Sequence, residues 1–150
     1  MHVKKILFPT DFSTIADQAL DYAATLAKEN GAKLLIVHIA ELPAAYGAGE
    51  MYYGIPEPDT DELLRMLHNV VPRNPPVDHE YRLLKGDPAR EIVRVAKDDT
   101  VDLIVMSTHG RTGLGRVLMG SIAEAVVRRA HCPVLTLKGT VAVPQKTATA

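Results

Sequence analysis

The glycine and serine residues near the carboxyl end of the chain have the types and spacing of an anion-binding site. Gly110, Gly113 and Gly115 follow a short apolar run, and Gly120 and Ser121 then begin a helical pattern. Glycine lets the backbone approach a phosphate without a Cβ in the way. The first amides of a helix have no partners within the helix and carry partial positive charge. The spacing therefore predicts phosphate binding and favours a nucleotide as the ligand.

Two common phosphate motifs are excluded by the residues within this loop. Gly110 and Gly115 have the spacing of a Walker A loop, but Arg116-Val117 stands where lysine and then serine or threonine are required. Gly113 and Gly115 begin like a dinucleotide fingerprint, but Leu118 occupies the position of the third glycine. The loop also lies late in the chain, whereas that fingerprint follows the first strand. The loop therefore matches neither of these two phosphate motifs.

Apolar periodicity predicts alternating strands and helices around this loop. Strands are predicted over residues 3–8, 34–39, 79–84, 101–106 and 133–137, and helices over 15–27, 59–71, 89–96 and 121–130. Ser13, Asp59 and Asp87 are placed to cap the first three helices, with Glu62 completing a capping box after Asp59. Alternation of this kind predicts an α/β fold in which a five-stranded parallel sheet is sandwiched by helices.

Two predicted strand ends carry residues suited to a ligand site. Thr10 and Asp11 follow the first strand, and residues 107–110 follow the fourth. Ligands of open parallel sheets bind beyond the carboxyl ends of the strands, where the strand order reverses. If these strands are neighbours at the reversal, Asp11 and the phosphate loop face one crevice. Asp11 then accepts hydrogen bonds from ribose hydroxyls or base amines, or else it caps the following turn.

Length, charge and cysteine content narrow the class of protein. A chain of 150 residues fits one domain, and a net charge of −1 argues against a nucleic-acid partner. With Cys132 as the single cysteine no intrachain disulfide is possible, which fits a reducing cytoplasm. No apolar run has the length of a signal-peptide core or a membrane span, so the expected localisation is cytoplasmic, without a membrane partner.

The chain resembles the universal stress protein (UspA-like) family across nearly its whole length. The resemblance is carried by ILFPTDFS, LLIVHI, GDPAREIV and MSTHGRTGLGRVLMGSIAEAVVRRAHCPVL. The nucleotide-binding branch of that family has Gly-x-x-Gly, nine residues and then Gly-Ser/Thr. Here Gly110 fills the second glycine position, residues 111–119 are the nine, and Gly120-Ser121 closes the pattern. Ser107 stands where the first glycine is usual.

The resemblance implies an adenine nucleotide α-hydrolase-like (Rossmann-like) open fold that binds ATP, or ADP or AMP. It implies that Asp11 contacts the ribose or adenine and that the Ile39 backbone meets the adenine edge. Gly110, Gly120 and Ser121 are expected to hold the phosphates, with the Ile122 N–H as a further donor. The expected ATP site is completed by Pro9, Thr10, Ser107, His109, Arg111 and Gly113. Mg²⁺ or Mn²⁺ is expected only through the phosphates, because the six histidines lack metal-ligand spacing.

The resemblance further implies a homodimer joined through the edge strand from Pro133 to Leu137. The alternative interpretation is that Lys138 is a charge that protects this edge instead of recruiting a partner. The expected function is nucleotide-dependent signalling in the stress response. Two alternatives stay open. One is slow ATP hydrolysis. The other is a dimeric stress protein that does not bind nucleotide, and Ser107 favours this second alternative. His109 is interpreted as shaping its loop rather than as a base.

The domain is expected to span residues 1–138, followed by a flexible tail over 139–150, with a mobile loop at 41–58.

Overall fold

The computed structural model of the chain describes residues 1–41, 59–109 and 119–139. In these ranges strands and helices alternate as the periodicity predicts. The strands are β1 (Lys5–Pro9), β2 (Lys33–Ala40), β3 (His79–Lys85), β4 (Leu103–Ser107) and β5 (Val134–Leu137). The helices are α1 (Thr14–Asn30), α2 (Thr60–His68), α3 (Pro88–Asp98) and α4 (Ser121–Arg129).

The five strands form one parallel sheet in the order β3-β2-β1-β4-β5. The strand order reverses at β1, because β2 and β3 are added on one side of it and β4 and β5 on the other. The predicted five-stranded α/β, Rossmann-like fold is confirmed, and the last strand lies at a sheet edge as predicted. The reversal places the ends of β1 and β4 side by side, where such sheets bind ligands.

The ladder between β1 and β4 is short. It pairs Ile6 with Leu103 and Leu7 with Ile104, both near the amino ends of the strands. The ladder between β1 and β2 has five pairs and continues to Pro9. The carboxyl ends of β1 and β4 therefore lie beyond their ladder, which leaves room for a cavity between them.

Apolar side chains cover both faces of the sheet. Successive residues of a strand point to opposite faces. Ile6 and Phe8 of β1 accordingly pack with α1 and α2, and Leu7 packs with α3 and α4. All three side chains are fully buried. The helices thus form one layer on each face, as a parallel sheet with crossover helices requires.

Local capping explains where the first three helices begin. The side chains of Ser13, Asp59 and Asp87 each accept hydrogen bonds from first-turn amides, as predicted. Gly31 ends α1 in the left-handed conformation, with φ of 64°. Some ends differ from prediction: β1 begins at Lys5 rather than residue 3, and α2 ends at His68 rather than residue 71. Apolar periodicity predicts the presence and type of an element better than its ends.

Several predictions fall on residues outside the described ranges. The predicted mobile loop at 41–58 is described only at Glu41, and the predicted tail only at Gly139. Within residues 1–41, 59–109 and 119–139, no helix has both the length and the apolarity that a membrane span requires.

Candidate functional site

A cavity of about 630 Å³ opens at the carboxyl ends of β1, β2 and β4, beside the start of α4. Eight of the twelve predicted site residues line it: Pro9, Thr10, Asp11, Ile39, Ser107, Gly120, Ser121 and Ile122. His109 lies next to the cavity in sequence but is not one of its lining residues. Gly110, Arg111 and Gly113 lie outside the described residues. The predicted crevice between the first and fourth strands is thus present.

The start of α4 forms one wall of the cavity. Its N-cap is Gly120, which has no side chain to accept from the first-turn amides. The Gly120 N–H itself donates to the Thr108 carbonyl oxygen at 2.6 Å. Among the described residues, no group accepts a hydrogen bond from the amides of Ser121, Ile122 or Ala123. Three first-turn amides therefore have no acceptor in the described part of the chain, and amides in this position bind anions.

Gly120 is required at this position by the closeness of two backbone segments. A Cβ built on Gly120 would lie 2.9 Å from the Thr108 carbonyl oxygen. Contacts this short between a Cβ and a backbone atom do not occur in relaxed structures. Any larger residue would therefore push the first turn of α4 away from the end of β4.

The turn after β1 forms the opposite wall. Thr10 is buried, and its N–H donates to the Val37 carbonyl oxygen at 2.8 Å. The Thr10 Oγ1 accepts from the Phe12 N–H at 3.0 Å, and the Asp11 Oδ1 accepts from the Ser13 N–H at 3.0 Å. Asp11 therefore caps the turn and also lines the cavity, so both interpretations of this residue have a structural basis.

The turn after β4 is held by side chains as well as by the backbone. The Ser107 hydroxyl donates to the His109 carbonyl oxygen at 3.1 Å. The Thr108 Oγ1 lies 2.9 Å from His109 Nδ1, and the Thr108 N–H donates to the Leu137 carbonyl oxygen at 2.9 Å. The Ser107 side chain thus forms a hydrogen bond within the turn, at a position where the family pattern has glycine. Thr108 joins this turn to the edge strand β5.

Charge is distributed unevenly around the cavity. The carboxylates of Asp11 and Glu41 lie at the ends of β1 and β2, on the side away from β5. Partial burial, and then repulsion by Asp11 and Asp21, raises the pKa of Asp17 in the first turn of α1. The first-turn amides of α4 carry the positive end of a helix dipole. A ligand is therefore favoured with its anionic end at α4 and its hydroxyl groups near Asp11.

Sequence reasoning missed nine lining residues: His38, Ala40, Glu41, Leu63, Pro88, Ile92, Met106, Thr108 and Ala123. Most are apolar, and they would provide a surface for a flat base. Several of them could have been predicted, because the end of β2 and the start of α3 must also lie at the carboxyl edge of a parallel sheet.

In the part of the chain that the structure describes, no cluster of three or more metal-ligating side chains occurs.

The sequence model of the universal stress protein family matches residues 2–138, which is most of the chain. This chain belongs to the universal stress protein family. The glycine pattern and the cavity beside α4 thus occur in a chain that matches the family over nearly its whole length.

Relatives of this universal stress protein agree in sequence and in fold. It is 38% identical over 141 residues to Universal stress protein MJ0531 of Methanocaldococcus jannaschii, which covers 90% of this chain and 82% of the relative. The structure of MJ0577, from the same organism, superimposes with a TM-score of 0.76 at 26% identity, covering 95% and 100% of the two chains. A universal stress protein from Archaeoglobus fulgidus in complex with dAMP gives a TM-score of 0.65 at 25% identity, covering 91% and 98%.

Proposed function

We propose that this universal stress protein binds ATP, or ADP or AMP, in the cavity beside α4. The observation that carries the proposal is the first turn of α4, whose amides at Ser121, Ile122 and Ala123 face a cavity without a capping side chain. A helix start of this kind favours phosphate oxygens. The complex of the Archaeoglobus fulgidus relative with dAMP supports an adenine nucleotide as the class of ligand.

The chemistry of the walls supports one orientation of the nucleotide. Phosphates are placed at the amides of α4, and the ribose hydroxyls are placed where the Asp11 carboxylate can accept from them. The base then lies among apolar side chains such as Ile39, Ile92 and Met106. Pockets that combine apolar walls with a few directed polar groups are typical of small-molecule sites. Mg²⁺ or Mn²⁺, if present, would be held through the phosphates.

The proposed biological role is a nucleotide-dependent signal in the cytoplasmic stress response, delivered by a homodimer. The dimer is proposed to form through β5, which lies at a sheet edge and exposes 36% of Leu135. Unpaired strand edges favour pairing with a second chain. Thr108 connects this edge to the cavity, because its N–H donates to Leu137 of β5 and its carbonyl accepts from Gly120.

Calorimetric titration of nucleotide-free protein with ATP tests the proposed function. We expect saturable binding near one ATP per chain, and much weaker binding of adenosine, which lacks the phosphates. Phosphate release measured in the same samples separates binding from turnover. Failure of ATP to bind at millimolar concentration would contradict the proposal, and equal affinity for adenosine and ATP would contradict the role given to α4.

A further inference from the structure

We infer that His38 is a positioning residue of the proposed nucleotide site, which holds Asp11 in the orientation needed for the ribose hydroxyls. The inference rests on the proposed function and extends it to a residue that belongs to neither the glycine pattern nor the turn after β1. His38 lies near the end of β2, is only 9% exposed and lines the cavity.

The first contact of His38 is with the backbone just before Asp11. Its Nδ1 lies 2.7 Å from the Thr10 carbonyl oxygen. A carbonyl oxygen only accepts hydrogen bonds, so Nδ1 must carry a proton and donate it. The hydrogen bond joins the end of β2 to the turn after β1, across 28 residues of sequence.

The second contact is with the residue just after Asp11. The rings of His38 and Phe12 stack with centroids 4.2 Å apart and an angle of 34° between their planes. Phe12 has a φ of 65°, a left-handed conformation that is unusual for a bulky residue and persists only where the surroundings enforce it. His38 thus contacts both neighbours of Asp11 and holds the turn that places Asp11 in the cavity wall.

A leucine would fill a similar volume, but it could not donate to Thr10. Burying an imidazole carries a desolvation cost that a hydrogen bond must offset. The polar part of His38 is therefore explained by its bond to the turn that carries Asp11. Because leucine is close to histidine in volume, the substitution His38→Leu should loosen the turn without emptying the site.

The test compares ATP with 2′,3′-dideoxy-ATP, which keeps the base and phosphates but lacks both ribose hydroxyls. The wild-type protein should bind ATP about tenfold more tightly than the dideoxy compound, as expected for a hydrogen bond to a carboxylate. In His38→Leu the affinity for ATP should fall to near that of dideoxy-ATP. The affinity for dideoxy-ATP should itself change by less than about twofold, because the α4 amides are untouched.

Two variants make this test specific. In His38→Asn the side-chain amide can still donate to the Thr10 carbonyl, so the preference for ATP should be largely restored. His79→Leu is the matched control: His79 Nδ1 also lies 2.8 Å from a carbonyl oxygen, that of Val77, but His79 does not line the cavity. We expect this control to bind both nucleotides as the wild type does.

The outcomes separate this inference from the proposed function. Equal weakening of both nucleotides in His38→Leu, or no change in either, would overturn the positioning role while leaving nucleotide binding in place. Absence of ATP binding to the wild-type protein would overturn the proposed function, and this inference with it.

A measurement on the wild-type protein does not depend on the folding of any variant. Nitrogen-15 NMR of labelled histidine reports which ring nitrogen of His38 carries a proton. A protonated Nδ1 supports the assignment, and an Nδ1 without a proton would overturn it.

Discussion

The two ends of the same pair of strands, β1 and β4, differ in how their polar groups are satisfied. At the amino end the Asp102 Oδ2 accepts from the amides of Lys4 and Lys5 at 2.8 and 3.0 Å. The Asp102 N–H in turn donates to the Lys5 carbonyl oxygen at 3.0 Å. At the carboxyl end the strands leave their ladder and border a cavity of about 630 Å³.

The difference indicates that one end of the strand pair stabilises the fold and the other is available for a ligand. A carboxylate that joins the two strands fixes their register at the amino end. At the carboxyl end, the amides of Ser121, Ile122 and Ala123 have no acceptor among the described residues. Helix α3 also borders the cavity, but the Asp87 side chain caps its first turn. The start of α4 differs in having no side-chain cap.

The largest effect is expected from Gly120→Ala at the carboxyl end. The added Cβ would meet the Thr108 carbonyl oxygen and displace the first turn of α4. Loss of two amide–phosphate hydrogen bonds should weaken ATP about 100-fold. Titration calorimetry measures the affinity, and urea unfolding serves as the control for stability. An unchanged affinity would show that the phosphates do not bind at α4.

A smaller effect, on stability alone, is expected from Asp102→Ala at the amino end. Two backbone amides lose a charged acceptor, so the free energy of unfolding should fall by about 2 kcal/mol. Asp102→Asn keeps one acceptor oxygen and should lose about half as much. The affinity for ATP should stay within about twofold, because distant sites act independently. A loss of affinity comparable to that of Gly120→Ala would mean that the two ends of the strand pair do not act independently.

Asp102 also gives this prediction a pH dependence. The hydrogen bond from the Lys4 amide, with that from Lys5, holds the pKa of Asp102 below its ordinary value of 3.8. A carboxyl with a lowered pKa stabilises the folded state above its unfolded pKa, and this contribution is lost as the pH falls through the folded pKa. The difference between wild type and Asp102→Ala should therefore be constant above about pH 5 and shrink at lower pH. A difference that grows on acidification would contradict this explanation.

The smallest effect is expected from Asp87→Ala, which removes the cap of α3 beside the same cavity. The Asp87 Oδ2 accepts from the Arg90 N–H at 2.9 Å, and losing such a cap costs about 1 kcal/mol. Because Asp87 does not line the cavity, ATP affinity should be unchanged. Thermal unfolding measures the loss of stability, and the ATP titration measures the affinity. A marked change in affinity would mean that the Asp87 side chain itself takes part in binding.

Sequence patterns predicted those features that depend on neighbouring residues. The strands and helices follow from apolar periodicity, and the caps Ser13, Asp59 and Asp87 follow from residue type just before each helix. The crevice was predicted because both of its polar turns directly follow strands. Gly120 was predicted through its place in the glycine pattern, although the contact with Thr108 that requires it was not.

Contacts between distant residues could not be predicted in this way. His38 is an ordinary strand residue by periodicity, and its bond to Thr10 appears only when β2 lies beside β1. Thr108 reaches Leu137 across 29 residues, and Asp102 reaches Lys4 across 98. Such partners depend on the strand order, which the alternation of elements alone does not determine.

The most direct test of phosphate binding at α4 is to follow individual backbone amides by proton–nitrogen NMR during a titration with ATP. We expect the amide signals of Ser121, Ile122 and Ala123 to move downfield and saturate together, since each gains a charged acceptor. The amides of Lys4 and Lys5, already bonded to Asp102, should not move. Saturation of the protein with ATP while the three α4 amides keep their positions would contradict the account.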